Sequence, residues 1–130
     1  MDPEELKQRT RAFAVRVVKM TEALPKRRAG DIIARQVICS ATAVGANYRA
    51  ACRARSHREF TAKIGVVEEE ADETLYWLEI LVETGLMEEA RLKDLSQEAK
   101  ELTAIFTSAS HTARQNRDKK CLQNCKIDKL

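Results

Sequence analysis

Residues 31–60 read DIIARQVICSATAVGANYRAACRARSHREF, and this stretch decides the fold class. Its apolar residues recur at helical spacing from Ile33 to Ala51, and they fall within about 80° of one another on a helix. The stretch also resembles a helix-turn-helix, but a turn at Gly45 would reset the helical phase, and the phase is unbroken. The stretch therefore predicts one long helix.

The residues before this stretch predict a first helix that stops at Pro25. Asp2 is a suitable cap for it, and Pro3 suits the first helical position, where no backbone N–H is needed. The long helix that follows is expected to begin near Asp31, because an acidic residue is favourable in a first turn.

The residues after this stretch predict two more helices. Ser56 and Glu59 form the S-x-x-E pattern of a capping box, which opens a third helix. That helix is expected to end at Gly85, a residue suited to the left-handed conformation of a helix end. A fourth helix is expected from about Glu88. Apolar positions in helical phase on the third helix are Phe60, Ile64, Val67, Ala71, Leu75, Leu78 and Val82.

The composition agrees with an all-α domain, because the 130 residues include only 4 glycines, 2 prolines and 5% aromatic residues. Four long helices with short connections pack best as an antiparallel up-down-up-down four-helix bundle. We expect this bundle to cover residues 1–113. Residues 114–130 are basic and weakly periodic, and we expect them to form a flexible C-terminal tail.

Charge is distributed unevenly along the chain. Residues 1–66 hold 14 Lys/Arg against 6 Asp/Glu, residues 67–112 hold 3 against 12, and residues 113–130 hold 6 against 2. Such basic and acidic sectors indicate either attraction between helices or subunits, or a surface for an acidic partner.

The basic residues suggest a nucleic-acid-binding surface. Two groups flank the second helix at opposite ends of the bundle, and Arg35, Arg49 and Arg53 share one of its faces, about 160–200° from Ile33. Few aromatic residues accompany them, so we expect salt-sensitive binding to a phosphate backbone without base stacking. The candidate nucleic-acid-binding residues are Lys26, Arg27, Arg28, Arg35, Arg49, Arg53, Arg55 and Arg58.

A second apolar stripe on the third helix suggests self-association. Val66, Tyr76, Trp77 and Ile80 point about 160–260° away from Phe60, toward what would be solvent in a monomer. Either another chain or the C-terminal tail could cover them, and we favour another copy of the chain.

Ser40 and Asn47 are predicted to be structural polar residues. They lie seven residues apart, so they share the edge of the core stripe on the second helix. A half-buried polar side chain at such a position can fix the register between helices by hydrogen bonding across the seam.

The sequence does not indicate an enzyme or a metal site. Neither His57 nor His111 follows a glutamate by three residues, as the di-iron sites of helix bundles require. Cys121 and Cys125 have only His111 near them, and their spacing is not that of a zinc finger, so their role is left open. The acidic residues of the segment 68–73 are expected to form a solvated face. No phosphate-binding loop, dinucleotide fingerprint or catalytic triad is present. We therefore expect no cofactor.

No apolar stretch approaches the roughly 20 residues that span a bilayer. The N-terminal residues also lack the apolar region of a signal peptide. We therefore expect a cytoplasmic protein with no membrane partner and with reduced cysteines.

Residues 36–51, QVICSATAVGANYRAA, resemble the signature Q-x-x-R-S-A-T-S-I-G-A-N-Y-x-E-A of a family of bacterial four-helix-bundle proteins. Members of this family were first noticed as products of intervening sequences in large-subunit ribosomal RNA genes. Glu59, Phe60 and Lys63, followed by residues 69–78, EEADETLYWL, resemble the second half of the signature, and the resemblance covers roughly residues 6–107.

The resemblance implies a homopentameric ring of four-helix bundles. It also implies kinship with the accessory variability determinant of diversity-generating retroelements, a basic pentamer that works with a reverse transcriptase and its RNA template. Cys39 stands where the signature has Arg, and Ala50 stands where it has Glu. These departures mean that a shared surface cannot be carried over residue by residue.

Two functions remain open from the sequence. The first is a non-enzymatic oligomer that binds RNA, an RNA/DNA hybrid or a nucleic-acid enzyme such as a reverse transcriptase. The alternative is a protein-interaction scaffold whose basic and acidic sectors face each other, with no role for nucleic acid.

Overall fold

The computed structural model describes the backbone of residues 1–128 and the side chains of residues 1–116. Four α-helices make up this part of the chain: α1 (Pro3–Thr21), α2 (Arg28–Cys52), α3 (His57–Glu83) and α4 (Glu89–Asp128). They pack against one another, and no strand occurs within residues 1–128. The predicted all-α four-helix fold is confirmed.

Side-chain caps begin two of the helices where the sequence predicted them. The Asp2 carboxylate accepts a hydrogen bond of 2.9 Å from the N–H of Glu5. The Ser56 hydroxyl accepts one of 3.1 Å from the N–H of Glu59. The Glu59 carboxylate in turn accepts from the N–H of Arg55, one residue before the position that a capping box uses. Both caps satisfy N–H groups that would otherwise lack partners.

The connection between α1 and α2 lies three to four residues earlier in the chain than predicted. α1 ends at Thr21, before Pro25, and α2 begins at Arg28, three residues before Asp31. Gly30 permits the early start, because a β-carbon at Gly30 would lie only 2.9 Å from the carbonyl oxygen of Pro25. Asp31 consequently lies in the first turn of α2, where the helix dipole favours its charge.

Neighbouring helices run antiparallel, as cross-helix hydrogen bonds show. Thr74 on α3 donates a bond of 2.8 Å to the Ser40 hydroxyl on α2. His57, at the start of α3, donates one of 2.9 Å to the carbonyl oxygen of Ala113, far along α4. α3 packs extensively against both α2 and α4, whereas α1 packs mainly on α2 and contacts α4 less.

The core follows the predicted apolar stripes, with a shift on α3. Thr74 and Leu81 are buried there, while the predicted core residues Leu75, Val82 and Phe60 are half-buried at its edges. From Ile64 onward the buried positions alternate three and four residues apart, the 3.5-residue repeat of supercoiled helices. The largest fully buried side chains include Phe13, Phe106, Ile64, Leu78, Leu81, Leu92 and Leu102, each worth about 1.5–3 kcal/mol of burial free energy.

α4 is the longest helix, with 40 residues, and its backbone remains helical through Asp128. It therefore continues well past the level of His57, where α3 begins. Side chains from residue 117 onward lie outside the described residues, so the division of the chain at residue 113 and the flexible tail stay predictions. None of the helices within residues 1–128 is both long and apolar enough to cross a membrane.

Candidate nucleic-acid interface

A groove between α1 and α2, which we call the α1–α2 groove, brings together basic side chains from both helices. Its volume is about 540 Å³. The two helices approach closely beneath it, because a β-carbon at Gly45 would lie 3.4 Å from the Thr10 hydroxyl oxygen. The groove is lined by Glu4, Lys7, Gln8, Arg11 and Ala14 of α1 and by Thr42, Gly45, Ala46 and Arg49 of α2, together with Arg53, the C-cap residue that we count with α2.

Helical periodicity explains why these cations project into the same groove. Lys7 and Arg11 are one turn apart on α1, about 120° and 160° around the helix from the buried Phe13. Arg49 and Arg53 are likewise one turn apart on the outer face of α2. Since α1 packs on α2, the two rows form the two walls of the groove.

A smaller hollow continues the α1–α2 groove toward the start of α3. It shares Ala46, Arg49 and Arg53 with the groove and adds Ala50, Arg55, Glu59 and Lys63. We call the groove and the hollow together the basic cleft. Six basic side chains and two carboxylates line the basic cleft, so its charge is predominantly positive.

Little of this positive charge is neutralised within the chain. Lys7 lies 4.0 Å from Glu4, whose side chain is 72% exposed, and such an exposed pair contributes little free energy. None of the ion pairs within residues 1–116 includes Arg49, Arg53 or Arg55. These guanidinium groups are therefore accessible to an anionic partner.

The predicted basic residues divide into those in the basic cleft and those outside it. Arg49, Arg53 and Arg55 line the cleft. Arg35 is exposed about two turns into α2, and Arg58 is exposed in the first turn of α3. The remaining three, which lie at the opposite end of the bundle and are also exposed, are Lys26, Arg27 and Arg28.

Three basic residues of the cleft were missed by the sequence analysis: Lys7, Arg11 and Lys63. Lys7 and Arg11 carried a usable signal, since residues four apart share a helix face. The pattern within α1 could not show that this face borders Arg49 and Arg53, because that depends on how α1 packs on α2.

The outer face of α3 combines exposed apolar and acidic side chains. Tyr76 is 53% exposed and Val66 is 38% exposed. Trp77 and Ile80 are half-buried and pack against the core, and the Trp77 ring meets the Tyr76 ring edge-on, with centroids 5.1 Å apart. The exposed carboxylates on α3 nearby are Glu69, Asp72 and Glu73.

Other large apolar side chains are exposed on α1 and α2. Val15 is 46% exposed and Val18 is 37% exposed on α1, and Ile32 is 53% exposed on α2. The sequence analysis identified only the stripe on α3. The bundle consequently has more than one surface with apolar side chains.

The two predicted structural polar residues make different hydrogen bonds. Ser40 is buried, accepts the bond from Thr74 across the α2–α3 seam and donates one of 3.2 Å to the carbonyl oxygen of Val37. Asn47 donates its bond of 2.8 Å to the carbonyl oxygen of Ala43, within α2 itself. The bond that joins the helices here is therefore the one between Ser40 and Thr74.

The pKa shifts occur at structural positions outside the basic cleft. Burial raises the pKa of Glu70 on α3, and nearby carboxylates raise it further. Burial also raises the pKa of Tyr48, with a contribution from a hydrogen bond to Cys52. The hydrogen bond to Glu98 raises the pKa of Arg9.

Within the residues whose side chains are described, no group of three or more His, Cys, Asp or Glu side chains could hold a metal ion. Cys39 and Cys52 are exposed free thiols. The side chains of Cys121 and Cys125 lie outside the described residues.

By its fold and its basic cleft, this chain is a small all-helical protein with a positively charged surface. Residues 4–108 match the family described as 23S rRNA-intervening sequence protein. Because the match covers most of the 130 residues, this chain belongs to that family. The predicted family resemblance is confirmed.

One solved structure supports the assignment. A protein of unknown function from the S23 ribosomal protein family of Bacteroides thetaiotaomicron VPI-5482, solved by crystallography at 1.70 Å resolution, superposes with a TM-score of 0.78. It is 29% identical in sequence, and the match covers 85% of this chain and 99% of that chain. No curated protein matches this chain significantly. Neither the family description nor the solved relative names a catalytic activity.

Proposed function

We propose that this protein is a non-enzymatic cytoplasmic oligomer that uses the basic cleft to bind nucleic acid, either RNA or an RNA/DNA hybrid, or a nucleic-acid enzyme such as a reverse transcriptase. The observation that carries the proposal is the convergence of Lys7, Arg11, Arg49 and Arg53 from two helices on one groove. The family description, which refers to 23S rRNA, supports it.

Oligomerisation is the second part of the proposal. The outer face of α3, with the exposed Tyr76 and Val66 beside Trp77 and Ile80, would contact another copy of the chain. A pentameric ring is the assembly that the family resemblance implies. Five copies would repeat the basic cleft by symmetry, so that even weak binding at each cleft would gain avidity.

Size-exclusion chromatography with light scattering and absorbance at two wavelengths tests both parts. At low salt we expect a mass of about five subunits together with nucleic-acid absorbance that high salt removes, since phosphate contacts are salt-sensitive. A monomer would contradict the oligomer, and the absence of nucleic acid both in the sample and after its addition would contradict binding.

Two double variants locate the binding surface. We expect Arg49→Gln with Arg53→Gln to lose retained nucleic acid at unchanged mass, because both guanidinium groups line the basic cleft. Arg91→Gln with Lys93→Gln is the matched control, since it removes the same charge from exposed positions on α4. Equal loss in both variants would show that net charge, and not the cleft, retains the nucleic acid.

The second candidate function is a protein-interaction scaffold without nucleic acid. The observation that favours it is the acidic outer face of α3, where Glu69, Asp72 and Glu73 are exposed on a bundle that also has the basic cleft. In this case the cleft of one copy would face the carboxylates of the next. Dissociation of the oligomer by Arg49→Gln with Arg53→Gln would favour the scaffold.

A further inference from the structure

We infer that the α1–α2 groove is the specific contact site for the sugar–phosphate backbone of a paired nucleic-acid strand, and that α1 supplies half of its cations. This inference rests on the proposed function and deepens it. It assigns a binding role to Lys7 and Arg11, which no sequence motif identified. It also states what the groove recognises: the backbone of a duplex and not unpaired bases.

The cations are spaced along the groove in a way that suits a phosphate backbone. Because Thr10 lies against Gly45 and the helices are antiparallel, Arg11 is level with residue 44 of α2, and Lys7 is level with residue 48. From the level of Arg11 to Arg53 is a distance of nine residue steps, or roughly 13 Å along the helix axis. A duplex strand has one phosphate per 3.4 Å of axis, so about four phosphates fit this length.

The lining of the groove favours backbone contacts over base contacts. The residues that line it include no aromatic side chain, so it has no platform on which an unpaired base could stack. Its floor consists of small residues, Ala14, Gly45 and Ala46, which leave room for a strand between the two walls. Gln8 and Thr42 add polar groups that can bind phosphate or sugar oxygens without reading a sequence.

Glu4 offers a substitution that should strengthen nucleic-acid binding, whereas loss of the basic residues should weaken it. Its exposed carboxylate lies at the edge of the groove, 4.0 Å from the Lys7 ammonium group. A phosphate that binds Lys7 must approach the negative charge of this carboxylate. Removal of the charge by Glu4→Gln should therefore tighten binding.

The experiment is fluorescence anisotropy with the full chain and a labelled RNA hairpin that has more than one duplex turn. The titration is repeated between about 50 and 200 mM salt. A DNA hairpin of the same sequence shows whether binding depends on ribose or deoxyribose. Oligouridylate of the same length serves as the unpaired probe. We expect the wild type to bind both hairpins more tightly than oligouridylate.

For Lys7→Gln with Arg11→Gln, we expect weaker hairpin binding and a salt slope that is smaller by about 0.9 for each lost phosphate contact. Arg16→Gln with Lys19→Gln is the matched control, because it removes two exposed cations from α1 outside the groove. Lys7→Arg with Arg11→Lys keeps the charges and should retain the slope. Circular dichroism verifies that each variant is folded.

The outcomes separate this inference from the proposed function. If Arg49→Gln with Arg53→Gln weakens binding while Lys7→Gln with Arg11→Gln does not, the protein binds nucleic acid without the cations of α1, and the role inferred for Lys7 and Arg11 is overturned. Tighter binding of oligouridylate than of either hairpin would overturn recognition of a paired strand. If the wild type binds none of the three probes, the proposed function itself fails.

Discussion

At the scale of single residues, Gly85 is the position where backbone conformation matters most. Its φ of 74° is the only positive φ among the described residues. Its N–H donates to the carbonyl oxygen of Val82, and the N–H of Leu86 donates to that of Leu81, both at 3.0 Å. These are the two hydrogen bonds of a Schellman motif, which ends α3 and turns the chain toward α4.

Gly85→Ala should lower the free energy of unfolding by about 1–2 kcal/mol, because an L-residue is disfavoured in the left-handed region. A β-carbon at Gly85 would meet no atom within 4 Å, so the cost is conformational and not steric. Gly65→Ala, inside α3, is the control and should stabilise by up to about 1 kcal/mol through helix propensity. Urea denaturation measures both, and an equal effect of the two variants would contradict this prediction.

Glu70 should make stability depend on pH. Burial raises its pKa in the folded protein, so the charged carboxylate destabilises the fold at neutral pH. This cost disappears as the pH falls through the raised pKa toward the unfolded value of about 4.3. Glu70→Gln should therefore raise Tm at about pH 7, and the gain should shrink toward about pH 4.

Thermal unfolding at several pH values measures this effect. Glu69→Gln is the control, since Glu69 is an exposed neighbour on the same helix and should show a smaller gain with little pH dependence. If Glu70→Gln raised Tm equally at both ends of the pH range, the charge of the Glu70 carboxylate would not be what destabilises the fold.

At the scale of the helices, α1 is the element with the least tertiary contact. It packs on α2 but contacts α4 less. Across the α1–α4 seam, the Arg9 guanidinium binds both carboxylate oxygens of Glu98, with Nε 2.9 Å from Oε2. It also lies 3.4 Å from Glu101. A bidentate pair that is partly shielded from solvent is stronger than a typical surface ion pair.

Arg9→Gln should lower the free energy of unfolding by roughly 1–2 kcal/mol, because it removes charge-assisted hydrogen bonds at this seam. A double-mutant cycle with Glu98→Gln should give a coupling energy of about 1 kcal/mol. Lys7→Gln is the control, since the pair of Lys7 with Glu4 is exposed and should contribute less than about 0.5 kcal/mol. A coupling energy near zero would mean that α1 is held by its apolar contacts alone.

At the scale of the whole molecule, the bundle presents two distinct surfaces. One is the basic cleft on α1, α2 and the start of α3, and the other is the acidic and apolar outer face of α3. Exposed apolar side chains next to charges are typical of surfaces that contact another protein. Under the proposed function, the two surfaces would contact different partners.

Val66→Ser with Tyr76→Ser should reduce the proposed oligomer to smaller species at unchanged helicity, because both side chains are exposed in the single bundle. Val15→Ser with Val18→Ser is the control, since it removes a similarly exposed apolar pair from α1. Light scattering measures the mass of each. Dissociation in the α1 variant alone would place the interface on α1 and not on α3.

Much of the fold could be predicted from the sequence because its signals are local. The caps at Asp2 and Ser56, the left-handed Gly85 and the unbroken α2 across Gly45 each depend on residues within a few positions of one another. The backbone hydrogen bonds within a helix likewise join residues only four positions apart. A reader of the sequence therefore needs no knowledge of the neighbouring helices to predict these features.

The burial of Thr74 shows where such local patterns fail. As a polar residue it was left out of the predicted apolar stripe on α3, which used Leu75 instead. Its single hydroxyl proton has two acceptors within 2.8 Å, the Ser40 hydroxyl across the seam and the carbonyl oxygen of Glu70, so its burial is not costly. The partner in α2 is 34 residues away, and local spacing could not reveal it.

The sequence by itself determined the four helices, most of their ends, their apolar faces and the family to which the chain belongs. Only the tertiary structure decided that Lys7 and Arg11 of α1 share a groove with Arg49 and Arg53 of α2, and that Arg9 pairs with Glu98. Periodicity specifies the direction of a side chain around its own helix. The neighbours that it meets depend on the packing and register of all four helices together, which no single helix encodes.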